Sequence, residues 1–128
     1  MCAVIQLVRI DLPLKRPFVS AKGSTTHRSG LLIRVASGPA VGWGEASPLP
    51  GLSRESIDDV SIELSPLVGQ ALTVPTSPEA INLWVHAHCS TPAARHGLAS
   101  AVLDCMAQRA GLPICGLMNK SNHREVPV

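Results

Sequence analysis

The chain has 128 residues, of which 45% are hydrophobic and 16% charged, with a net charge of +2 and a mean hydropathy of +0.23. That length suits one domain with a real core, and the mild charge, one Phe, two Trp and no Tyr exclude a nucleic-acid binder built on a basic stripe or a base-stacking platform. No apolar run approaches the ~20 residues of a membrane span, and the N-terminal MCAVIQLVRIDL carries early charges where a signal peptide has an apolar core, so a cytoplasmic chain is expected.

Residues Ala3–Leu12 are predicted to form a strand, because Val8, Ile10 and Leu12 alternate with Arg9 and Asp11. Pro13 has no amide hydrogen to donate and is expected to end regular pairing. Lys15 to Ser29 then reads as a long connection, stiffened by Pro17 and flexible through Ala21-Lys22-Gly23-Ser24-Thr25-Thr26. Loops of that length inside compact domains are commonly lids or binding loops, and Phe18, the one Phe of the chain, stands at its base.

Two more strands follow. Leu31, Ile33 and Val35 alternate with Leu32, Arg34 and Ala36, and after the turn Ser37-Gly38-Pro39-Ala40 the run Val41–Glu45 alternates with Gly42, Gly44 and Ala46. Three strands ahead of any helix predict an antiparallel meander. The small residues Gly42, Gly44 and Ala46 share one face, which predicts that another backbone comes close to it. Gly-Trp-Gly does not fit a phosphate loop, since Pro48 follows and no βαβ unit surrounds it.

Ser47-Pro48-Leu49-Pro50-Gly51-Leu52 is a rigid second loop, with Ser53 as the expected N-cap of a helix and Glu55 in its first turn. Ile57, Val60, Leu64 and Leu67 fall at helical spacing, and Pro66 and Gly69 close the segment. A second helix is predicted from Ser77, with Pro78 at its first position and Ile81, Trp84, Val85 and His88 on one face. His86 and His88 read as surface or half-buried helix residues, because positions two apart do not face each other. The third helix is capped by Thr91, opened by Pro92 and closed by Gly111, with Leu98, Val102, Leu103, Met106 and Ala110 as its apolar stripe. A short helical segment over 114–119 and an extended start at Glu125-Val126-Pro127-Val128 end the sequence.

No complete catalytic constellation emerges. The sequence lacks G-x-S-x-G and H-E-x-x-H, and its carboxylates show no metal-ligand spacing. Cys2, Cys89, Cys105 and Cys115 form no C-x-x-C pair and read as small buried hydrophobes. Glu45 reads as a structural hydrogen-bond acceptor, and Asp104 as a solvated or capping carboxylate in preference to a catalytic one.

Several strings taken together resemble the N-terminal capping domain of the enolase superfamily, muconate-lactonizing branch, and within it the o-succinylbenzoate synthase group. They are Pro13-Leu14-Lys15-Arg16-Pro17-Phe18, His27-Arg28-Ser29-Gly30, Gly42-Trp43-Gly44-Glu45-Ala46-Ser47-Pro48-Leu49-Pro50-Gly51, Ser53-Arg54-Glu55-Ser56, Ala94-Arg95-His96-Gly97-Leu98-Ala99-Ser100-Ala101-Val102-Leu103-Asp104 and Val126-Pro127-Val128. The resemblance implies an α+β fold: a three-stranded antiparallel meander and a helical bundle over residues 1–124, with 125–128 opening the first strand of a TIM barrel that this sequence does not contain. It implies a lyase, a Mg²⁺-dependent dehydratase of menaquinone biosynthesis, whose metal ligands and acid/base residues lie on that barrel. The chain alone is then expected to be inactive and to bind neither metal nor cofactor. Its contribution is two lid loops over a small carboxylate substrate, with Phe18, Ser20, Ala21, Gly23 and Ser24 in one and Pro50, Gly51, Leu52 and Ser53 in the other. The expected partners are that substrate and the chain's own barrel domain, with no nucleic acid and no membrane. Dipeptide epimerases and muconate cycloisomerases of the same superfamily are the nearest alternatives, and a non-catalytic capping fragment that binds a partner through its apolar face is the alternative of another class.

Overall fold

A computed structural model describes residues 1–118. Its sheet is antiparallel, with strand order β3-β2-β1-β4. The strands are β1 (Cys2–Ser20), β2 (Gly23–Ser37), β3 (Ala40–Ala46) and β4 (Ala71–Thr73), and the α-helices are α1 (Ile57–Leu64), α2 (Pro78–His88), α3 (Pro92–Ala110) and α4 (Ile114–Met118). The predicted meander followed by helices is therefore the observed architecture, with the short β4 added against Cys2–Val4. Three residues offer no periodicity to read. β4 is held by its place beside the N-terminus, where the Met1 ammonium donates to the Val74 carbonyl at 2.6 Å.

The helices cover one face of the sheet. Ile5, Leu31, Ile33 and Val35 point into the core and meet Val60 and Leu64 of α1, Ile81 and Val85 of α2, and Leu98, Val102 and Cys105 of α3. Burying each large aliphatic side chain contributes roughly 1.5–3 kcal/mol. The opposite face of β1 and β3 is apolar too, and there Val8, Leu12 and Trp43 stay about half exposed. The alternation of Val8, Ile10 and Leu12 thus marks the outer face of β1, while its inner face is built by Ala3 and Ile5.

The expected close approach on β3 is borne out. A Cβ on Gly42 would overlap the Ala101 carbonyl, and one on Gly44 would overlap the Gly97 carbonyl. Gly97 is reciprocally tight, since a Cβ there would lie 2.7 Å from Ile33 Cδ1 and 3.1 Å from the Ala46 methyl. Glycines on both elements let α3 lie backbone-to-backbone along the strand. Asp104 of α3 accepts the Trp43 amide at 2.9 Å and so occupies a donor on the edge strand.

Two boundaries differ from expectation. The segment Lys15–Ser29 is not a loop: β1 and β2 run on as a two-stranded ribbon, paired Phe18↔Thr25, Val19↔Ser24 and Ser20↔Gly23, around the turn Ala21-Lys22. Pro13 does interrupt the ladder, but pairing resumes at Phe18 after an irregularity on β1. Pro17 lies in that irregularity, where a missing amide hydrogen costs no ladder bond. Helix α1 is capped by Ser56 and not by Ser53. The Ser56 side chain accepts the Asp59 amide while Asp59 accepts the Ser56 amide, a reciprocal box between a serine and the acid three residues on. Those bonds hold the Asp59 carboxyl below its usual range, the Ser56 amide most of all.

The two later helices begin at the predicted positions and α3 ends at the predicted one, although the Thr91 side chain makes no capping bond. Ser77 caps α2 with Pro78 in its first turn, and α3 ends at Gly111 in the left-handed conformation, φ +65°. His86 and His88 are exposed. Cys89 and Cys105 are buried as expected, whereas Cys2 and Cys115 are exposed, lying at the start of β1 and in the short last helix. The expected strand at 125–128 and the end of the 114–119 segment at Asn119 lie outside the described residues.

Candidate functional site

The ribbon tip and the loop after β3 come together at one end of the sheet. Their contacts are made by two basic side chains on the ribbon and carbonyl oxygens on the loop. Lys22 Nζ donates to the Gly51 carbonyl at 2.5 Å. Arg28 donates from one terminal nitrogen to the Ser47 carbonyl at 2.5 Å and from the other to the Pro48 carbonyl at 3.1 Å. Pro48 and Pro50 stiffen this loop, and Gly51 takes φ +82°, a conformation that glycine reaches without strain. A side chain at Gly51 would also begin to touch Lys22, whose Cδ lies 3.4 Å from the Cβ position.

Ser53 closes the loop on itself. Its hydroxyl accepts the Leu49 amide at 2.9 Å, and the Leu52 and Ser53 amides return to the Leu49 carbonyl at 3.0 and 2.8 Å. Ser53 is therefore a loop staple. Leu52 projects from the loop with 64% of its surface exposed, and Pro50 and Gly51 are exposed beside it. On the ribbon, Ser20 Oγ accepts the Lys22 amide at 3.3 Å, and Gly23 at φ +132° carries the chain out of the turn. Ala21, Gly23 and Ser24 are exposed. Phe18 is 48% exposed, a large ring with no place in the core. The irregularity between Pro13 and Phe18 puts Phe18 opposite Thr25, on the side of the ribbon that bears Leu31 and Ile33 further down, and takes it off the face of Leu12.

A cleft of about 330 Å³ opens between ribbon and loop, bordered by His27, Arg28, Pro48, Gly51, Ser53 and Arg54. The carboxylates around it are committed elsewhere. Glu55 accepts the Ala93 amide at the start of α3 at 2.9 Å, and Glu45 accepts the Ser47 hydroxyl. Glu63 takes the Ser90 and Thr91 amides and both their hydroxyls, doing for α3 what the Thr91 side chain does not do. Burial alone would push the Glu63 carboxyl up, but the bonds from Ser90 and Thr91 together outweigh it and hold it at about 2, below its ordinary 4.5. Burial, followed by the neighbouring Glu63 carboxylate, raises the Cys89 thiol to about 11, and burial likewise raises Cys105. Neither thiol has the character of a nucleophile at neutral pH.

The structure thus brings the two groups of sequence-predicted residues to one end of the sheet. Sequence reasoning missed Lys22 and Arg28, the side chains that join them. Their acceptors are main-chain carbonyls 29 and 19–20 residues away, and no side-chain pattern encodes such a partner.

Among the described residues no three or more His, Cys, Asp or Glu stand together as a metal site. No described helix is long and apolar enough to cross a membrane.

The fold is that of the N-terminal capping domain of the enolase superfamily. The N-succinyl Arg/Lys racemase of Bacillus cereus shares this arrangement, with a TM-score of 0.81 and 26% identity over 100% of this chain and 36% of its own. The chain belongs to the family described as MenC, N-terminal domain, which matches residues 3–105. It is 36% identical over 59 residues to the o-succinylbenzoate synthase of Citrobacter koseri, covering 46% of this chain and 18% of that protein. It is 31% identical over 109 residues to an aromatic dipeptide epimerase of Herpetosiphon aurantiacus, covering 82% and 30%. The chain therefore spans about a third or less of the length of these relatives.

Proposed function

We propose that this domain is the substrate-covering lid of an o-succinylbenzoate synthase, a Mg²⁺-dependent dehydratase acting on a small cyclic carboxylate. The observation that carries the reading is the exposure of Phe18 and Leu52, at 48% and 64%, on two segments bridged to each other. Exposed apolar side chains gathered at one end of a sheet into a patch mark an interaction surface. Closing over a barrel mouth, they would exclude water from the reacting carbons and offer an apolar wall to a ring. Lys22, Arg28 and Arg54 border the same end and suit an anionic ligand. Proton transfer and metal binding belong, in this reading, to the barrel domain, and no step of the lid's work passes through the metal. The MenC family match supports the synthase over other members.

A second reading is supported by the longer alignment with the aromatic dipeptide epimerase. There the same apolar lid would cover an aromatic side chain. The two are separated by assaying the gene product that carries this domain with the cyclohexadiene carboxylate and with aromatic dipeptides. Dehydration supports the synthase; epimerisation without dehydration overturns it. The 128-residue chain on its own is expected to turn over neither, and turnover by it would misplace the active site.

A further inference from the structure

From Leu12 to Gly44 the sequence holds no Asp or Glu, although it holds Lys15, Arg16, Lys22, Arg28 and Arg34. The ribbon therefore offers Lys22 and Arg28 no carboxylate of its own. The acids nearest the cleft, Glu55 and Asp59, are held by the Ala93 and Ser56 amides. The two cations are left to main-chain carbonyls of the loop, and they reach it at different depths. Arg28 is half-buried and makes two bonds to consecutive carbonyls, at Ser47 and Pro48. Lys22 is exposed and makes one, at Gly51. A planar guanidinium with two acceptors is a fixed joint, whereas a single exposed ammonium–carbonyl bond is weak and exchangeable.

We infer that Lys22 and Arg28 are positioning residues that couple the ribbon and the loop into one lid, with Arg28 as its permanent hinge and Lys22 as a latch that opens at the tip. The loop has no other described side-chain tie to the ribbon. Its own staple, Ser53 to Leu49, is internal and rigidifies the loop without placing it. The consequence for catalysis rests on the lid reading above; the coupling itself does not.

The test is hydrogen–deuterium exchange on the substrate-free protein, read in the peptides spanning 19–26, 47–54 and, as a control, 97–107 of α3. In Lys22→Met, exchange should rise about threefold or more in 47–54 as well as in 19–26, with 97–107 unchanged. In Arg28→Met the rise in 47–54 should be larger, about tenfold, and Lys22→Arg should restore the unmodified pattern. An unchanged 47–54 peptide in Lys22→Met would overturn the coupling. So would loss of protection throughout the chain, which would make Lys22 a folding residue instead. If the coupling holds but Phe18→Ala leaves turnover untouched in the gene product carrying this domain, the lid reading fails and the latch does not.

Discussion

The seam between α3 and β3 and the bridge between ribbon and loop join neighbouring elements by opposite means. In the seam, Gly42, Gly44 and Gly97 remove side chains so that backbones touch, and a single added methyl has nowhere to go. In the bridge, long basic side chains span a gap to carbonyls: half-buried Arg28 makes two bonds and exposed Lys22 a single one. Close packing of backbone permits one arrangement. A single exposed ammonium–carbonyl bond, as at Lys22, exchanges readily with water. The seam is therefore fixed by backbone contact, and the Lys22 tip of the bridge is the adjustable end.

The sharpest way to break that contrast is Gly44→Val. Because the clash is with helix backbone, we expect a loss of about 3 kcal/mol or more, or failure to fold, in urea denaturation. Next comes Glu63→Gln, which weakens the cap of α3 and should cost about 1–2 kcal/mol after allowance for its partial exposure. Since the folded carboxyl sits at about 2 against 4.5, this contribution is present above pH 4.5 and lost as pH falls toward 2. Stability of the unmodified chain should decline through that window, and Glu63→Gln should flatten the decline.

Phe18→Ala tests the adjustable end. At 48% exposure it should change stability by less than about 0.5 kcal/mol while lowering kcat/KM roughly tenfold in the gene product carrying this domain. Thiol labelling sharpens the same division: Cys2 and Cys115 should react with iodoacetamide in the native chain, Cys89 and Cys105 only after denaturation. The smallest effect is expected for Arg9→Ala, which removes the ion pair to Asp58. Its side chains are 53% and 70% exposed, so the cost should be about 0.5 kcal/mol or less and vanish in high salt.

The sequence by itself determined the order of the large elements, the inward faces of β2 and β3, the starts of α2 and α3, and the end of α3. Each of these rests on local chemistry: alternation at Leu31, Ile33 and Val35, a proline after a cap at Ser77 and Thr91, a left-handed glycine at 111. It also singled out the glycine face of β3, because a run of missing side chains is itself a pattern. Only the tertiary structure decided that Lys15–Ser29 is a paired ribbon. Its polar residues show no hydrophobic alternation, and the pairing partner, not the side-chain pattern, makes it a strand. The same holds for β4 beside the N-terminus, and for Glu63, which caps a helix 28 residues further on. Lys22 and Arg28 belong with these. Their partners are carbonyl oxygens, which every residue possesses, so nothing in a string of side chains could point to which ones they would find.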